Sequence, residues 1–109
     1  MNAAGLNLVI SGTSANLEMP FYQDLVTDGS IKQDELDGTR RLLSGAAETL
    51  RNTPAEKIEA VVAQYDEDLT AYSDKLNVIP QQNLLERFQV AQIMAGFVTT
   101  IMAKSGLRV

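Results

Sequence analysis

The run "DEDLTAYSDKLN", Asp66 to Asn77, sets side-chain oxygens two residues apart at Asp66, Asp68 and Thr70. That is the opening spacing of a calcium loop, in which successive oxygens wrap one hard cation. The rest of the run does not supply the loop. Its sixth position is Ala71, where the sharp turn needs Gly, and its twelfth is Asn77, where a bidentate Glu closes the shell. Leu69 and Tyr72 fall inside it at helical spacing, so its carboxylates read as the wet side of a helix. No metal and no other cofactor is expected.

Few other groups are equipped for catalysis. The chain has no His and no Cys, which removes histidine-assisted nucleophiles, disulfides and Cys/His metal sites. Glu18, Glu48 and Glu86 are candidates for unusual burial. An acid–base pair, however, needs two carboxylates in one pocket with their pKa values driven apart, and nothing in the sequence builds a cleft around these three. Tyr22, Tyr65 and Tyr72 read as packing residues. There is no Gly-rich phosphate loop and no GxSxG elbow. An enzyme is not expected.

The charge balance narrows the partners. Nine basic and fourteen acidic residues leave a net charge of −5 over 109 residues. Binding a nucleic acid or an anionic membrane surface needs clustered cations. Here they are scattered over Lys32, Arg40, Arg41, Arg51, Lys57, Lys75, Arg87, Lys104 and Arg108. Protein partners, through self-association or with other subunits, are the remaining expectation. The length fits one domain with a thin core.

The elements that would position these residues are helical. Met1 to Asn16 carry no charged side chain and are rich in Gly, Ser, Asn and Ala. "LNLVIS" has the composition of a short strand but no partner strand, so residues 1–19 are expected to be flexible or docked. With no Lys or Arg ahead of its apolar stretch, this segment lacks the n-region of a cleaved secretory signal. "MPFYQDLVTDG" reads as a short helix with Pro20 in its first turn, Phe21, Leu25 and Val26 on one face and Gly29 at its end. A second helix is expected from Ser30 or Asp34 to Arg51, with Leu36, Leu43, Ala46, Ala47 and Leu50 inward. Its Gly38 and Gly45 either permit close helix contact or weaken the helix.

"NTPAEKIEAVVAQYDEDLTAYSDKLN" gives the clearest pattern. Thr53 as N-cap, Pro54 and Glu56 form a helix start. Ile58, Val62, Tyr65, Leu69, Tyr72 and Leu76 then follow at alternating steps of four and three. After the break at Pro80, the last helix runs from about Gln81 to Lys104. Its matching seam is Leu84, Phe88, Ala91, Ala95, Val98 and Met102. Two such helices joined by a short connection predict an antiparallel helical hairpin. The expected fold is therefore all-α: one helical domain over residues 20–109, with short helices over 20–51 and the hairpin over 54–106.

The last helix has more apolar surface than a hairpin uses. Phe88 to Ala103 is uncharged for sixteen residues, and a second stripe, Val90, Ile93, Met94, Phe97 and Ile101, lies around from the seam. Between the stripes runs a line of Gln89, Gln92, Gly96, Thr99 and Ala103. A helix apolar nearly all round is buried on every side or lies in a membrane. Sixteen residues give about 24 Å of helix, short of the roughly 30 Å hydrocarbon core, so spanning is not expected. Two explanations stay open. The short helices of the same chain could cover the second stripe, or other subunits could, which would make that stripe an assembly interface.

The C-terminal half, "IPQQNLLERFQVAQIMAGFVTTIMAKSG", resembles the small inner-rod and needle subunits of bacterial type III secretion systems. The resemblance spans residues 54 to 105. It rests on the acidic helix ending "AYSDKLNVIP", on Pro80, Leu84 and Leu85, and on Gln89, Met94 and Lys104 in an uncharged final helix. It implies a non-enzymatic helical-hairpin subunit, exported through the bacterial envelope without a cleaved signal, that polymerises through its C-terminal helix into a rod or needle. The bottom-up alternatives are a small acidic chaperone or adaptor holding a partner helix in a groove, and a self-sufficient monomeric bundle.

Overall fold

The computed structural model describes residues 1–108. Val109, the last residue of the expected domain, lies outside them. Among the described residues the fold is all-α. Its helices are α1 (Ala3–Leu17), α2 (Gln23–Thr27, preceded by a 3₁₀ turn at Pro20–Tyr22), α3 (Gln33–Arg51), α4 (Ala55–Gln64), α5 (Asp66–Val78) and α6 (Leu84–Lys104). The bundle measures 43 × 26 × 17 Å.

Of residues 1–19, expected to be flexible or docked, Ala3–Leu17 form α1, a helix docked on the bundle rather than a strand. The Asn2 side chain accepts from the Gly5 N–H at 2.8 Å and so caps its start. Ala3, Leu6, Ile10 and Leu17 make one buried stripe that packs chiefly on α3 and also on α4. The Arg40 guanidinium holds the far end, donating from Nε to the Leu17 carbonyl at 2.6 Å. A cation on the last turn satisfies orphan carbonyls and complements the helix dipole. Poor intrinsic propensity is overridden by this packing, as happens for most protein helices.

The long helix expected from Pro54 to Asn77 is broken at Tyr65. There the backbone leaves helical geometry (φ −111°, ψ 10°), ending α4 and starting α5. Asp66, Glu67 and Asp68 occupy the first turn of α5, where negative charge suits the exposed N–H groups. Thr53 is not the N-cap of α4. Its hydroxyl donates back to the Thr49 carbonyl at 2.7 Å, and Pro54 precedes the helix without a side-chain cap. The break lets α4 pack on α1 and α6 while α5 packs on α6. α6 packs on α3 as well as on α4 and α5, so the bundle is more than a two-helix hairpin.

Local chemistry also fixes the other ends. Gly29, at φ +80°, follows α2 in a conformation that suits glycine. The Lys32 N–H donates to the Glu35 carboxylate at 3.0 Å at the start of α3. Arg87 of α6 donates from Nη1 to the Leu76 and Ile79 carbonyls at 3.1 and 3.0 Å, holding the end of α5. α6 stops at Gly106 (φ +73°), with Gly106 N–H bonding Ala103 and Leu107 N–H bonding Met102. That paired pattern is a Schellman cap. A Cβ added at Gly38 or Gly45 would meet nothing within 4 Å, so neither glycine serves close helix contact inside the chain.

Candidate docking face

α6 is the longest helix, and part of its uncharged surface stays exposed. Its seam is internal: Phe88, Ala91, Ala95, Val98 and Met102 are buried, with Leu84 half-buried. From the opposing seam Ile58, Val62 and Leu69 are buried, while Tyr65, Tyr72 and Leu76 are half-buried against the core.

The second stripe divides. Val90, Met94 and Ile101 are buried by this chain's own residues, Met94 and Ile101 completely. They are core rather than available assembly surface. The physical reason is that α3 and α4 add to the cover α5 gives α6. Phe97 is half-buried between the rings of Tyr72 and Tyr65, at centroid distances of 5.6 and 6.1 Å. Ile93 alone of the five stays exposed, at 42%.

Ile93 belongs to a strip on the outer side of α6 formed by Gln89, Ile93, Gly96, Thr100 and Ala103, at steps of 4, 3, 4 and 3 residues. Thr100 donates its hydroxyl to the Gly96 carbonyl at 3.0 Å, and neighbouring Thr99 to the Ala95 carbonyl at 2.8 Å. Both hydroxyls are spent on their own helix. Tyr65 and Phe97 flank the strip in a shallow depression shared with Ile93, Gly96 and Thr100. On the other side Gly38, Thr39 and Leu42 of α3 form a trough with Gln92, Ala95, Gly96 and Thr99, with Asp34 and Glu35 at its rim. Lys104 closes one end of the strip, its Nζ 5.1 Å from the Tyr65 ring centroid. Glu86 lies at the other end and accepts from Asn83 Nδ2 at 2.8 Å.

The groups considered for chemistry are not gathered into a site. Asp66, Asp68 and Thr70 sit on the first turns of α5, where Asp66 takes the Met1 ammonium and, at 3.4 Å, the Thr70 hydroxyl. Glu18 and Glu48 are exposed and far from Glu86 in the chain. The fully buried Tyr22 donates its hydroxyl to Asn16 Oδ1 at 2.5 Å. Two carboxylates depart from their ordinary pKa, both downward. The Ser30 hydroxyl and backbone N–H stabilise ionised Asp28, and a hydrogen bond from the Met1 ammonium does so for Asp66. Lowered carboxylates are the opposite of a general acid held ready near neutrality. Among the described residues no cluster of three or more potential ligands could hold a metal, and no helix is long and apolar enough to cross a membrane.

A second hollow, about 330 Å³, lies between α1, α5 and α6, lined by residues including Leu8, Asn16, Leu76 and Arg87. Its one cation is already engaged in capping α5. No protein-family model, curated protein or solved structure matches the chain.

Sequence reasoning missed the role of α3 beside the strip. The signal was present in Gly38 and Leu42, four residues apart and both outside the stripe of Leu36, Leu43 and Leu50.

Proposed function

We propose that this chain is a non-enzymatic subunit that joins a larger protein assembly by docking through the outer face of α6. The observation that supports this most is the strip itself. It has no charge between Arg87 and Lys104, carries an exposed Ile93, and is flanked by a half-buried aromatic at Phe97. α3, a helix of similar length, carries Asp34, Glu35, Arg41 and Glu48 on its exposed side. Depletion of charge with aromatic enrichment marks the centre of protein interfaces.

The resemblance to type III rod and needle subunits offers a setting: an exported component of a secretion tube, contacting its neighbours through the C-terminal helix. In that setting the contact falls on Ile93, Gly96 and Phe97 rather than on Met94 or Ile101. The adaptor reading has one observation of its own, the trough between α3 and α6, which is floored by Gly38, Leu42, Ala95 and Gly96 and open to a partner helix.

A photo-crosslinking residue at Ile93, compared with one at exposed Ala60 on α4, tests the docking reading in cells that express the protein. Discrete protein adducts from position 93 and none from position 60 are the expected result. Equal adducts from both positions, or none from 93, contradict it.

A further inference from the structure

The strip has a shape and a charge pattern that fit itself. Gly96 stands in mid-helix, where glycine costs about 1 kcal/mol relative to alanine. A Cβ added there would meet nothing within 4 Å, so packing inside the chain does not require its absence. The room above Gly96 lies open to an arriving side chain. One turn away, Ile93 projects an exposed branched side chain.

Glu86 and Lys104 are eighteen residues apart, about five helical turns at 3.6 residues per turn, so they lie on the same flank of the strip. If two copies meet in parallel, Glu86 faces Glu86 and Lys104 faces Lys104. In the antiparallel arrangement each Glu86 lies beside the other copy's Lys104, twice. The register set by those charges has its midpoint at residue 95. The register that seats Ile93 over the other copy's Gly96 has its midpoint between residues 94 and 95. Shape and charge select nearly the same alignment independently.

We propose that α6 pairs with α6 of a second copy in an antiparallel, two-fold dimer, each Ile93 seated over the other Gly96 and each Glu86 beside the other Lys104. This rests on the docking reading above, names the partner as a second copy, and replaces the polymerising rod or needle setting with a closed pair. A two-fold contact uses one patch twice and closes at two copies. Asp34 and Glu35 on the opposite flank bring like charges near the axis, which holds the pair to modest affinity.

The test is the molar mass of the purified chain by light scattering, from low micromolar to near-millimolar concentration. It should rise from one chain to two and stop there. Glu86→Lys and Lys104→Glu should each weaken the dimer about tenfold. The double variant should restore it, a result the parallel arrangement cannot give. Gly96→Leu should leave thermal unfolding near wild type and abolish the dimer. A mass fixed at one chain, growth beyond two chains, or a double variant as weak as the singles overturns the proposal. A monomeric chain whose position 93 still crosslinks to a different protein overturns self-pairing while the docking reading stands.

Discussion

α1 and α6 are both built from uncharged sequence, and the protein uses them in opposite ways. α1 buries one narrow stripe and turns Ala4, Leu8, Gly12 and Ala15 to solvent. α6 is covered by α3, α4 and α5 and leaves only the Gln89–Ala103 strip outside. Absence of charge therefore does not measure burial. What separates the two is the density of large apolar side chains around the helix, which is low in α1 and high in α6. Where charge and burial are both absent, as along the outer faces of α1 and α6, folding gives no reason for the composition.

Core truncations should break this comparison most strongly. Phe88→Ala on α6 should cost about 3–5 kcal/mol, and Ile10→Ala on α1 about 2–5 kcal/mol, in urea unfolding. If α1 were loosely attached, Ile10→Ala would leave stability unchanged while Phe88→Ala would not. The capping arginines come next. Arg40→Ala at the end of α1 and Arg87→Ala at the end of α5 should each cost about 1–2 kcal/mol. Hydrogen exchange should show the loss at the last turn of the helix each one caps.

Gly96→Ala sharpens the contrast from the other side. Added to an open position on α6, the methyl should raise monomer stability by up to about 1 kcal/mol. A loss there would mean the strip is already covered.

The smallest effect is expected from acid. Asp28 and Asp66 titrate below the ordinary carboxylate value of 3.8, because the Ser30 donors and the Met1 ammonium favour their ionised forms. Their contribution is present above that value and is lost as pH falls through the lowered folded values. A small drop in melting temperature below pH 3.8, reduced in Asp66→Asn, is the check.

Much of the helical content was legible from periodicity. α3 and α6 lie within a few residues of their expected limits because strong apolar stripes and charged ends coincide there. α1 was not legible as a helix. Gly, Ser, Thr and Asn lower local propensity, and the stripe of Ala3, Leu6, Ile10 and Leu17 gains its stability from α3, a distant part of the chain. The break at Tyr65 was hidden by a seam that continues across it, although three consecutive acidic residues after Tyr65 are what a helix start favours. For the docking face, the angular position of a side chain on α6 was readable but its cover was not. Ile93 and Met94 are neighbours in the same uncharged run, and only the placement of the surrounding helices assigns one outward and the other to the core.

That pair gives the most direct test. Urea unfolding of Ile93→Lys and Met94→Lys should be compared at a concentration where the chain is monomeric. Ile93→Lys should stay within about 0.5 kcal/mol of wild type, as exposed substitutions do, while Met94→Lys, burying an unpaired charge, should fail to fold cooperatively. Equal losses, or a Met94→Lys variant that folds normally, would contradict the division of α6 into an inner face and an exposed one.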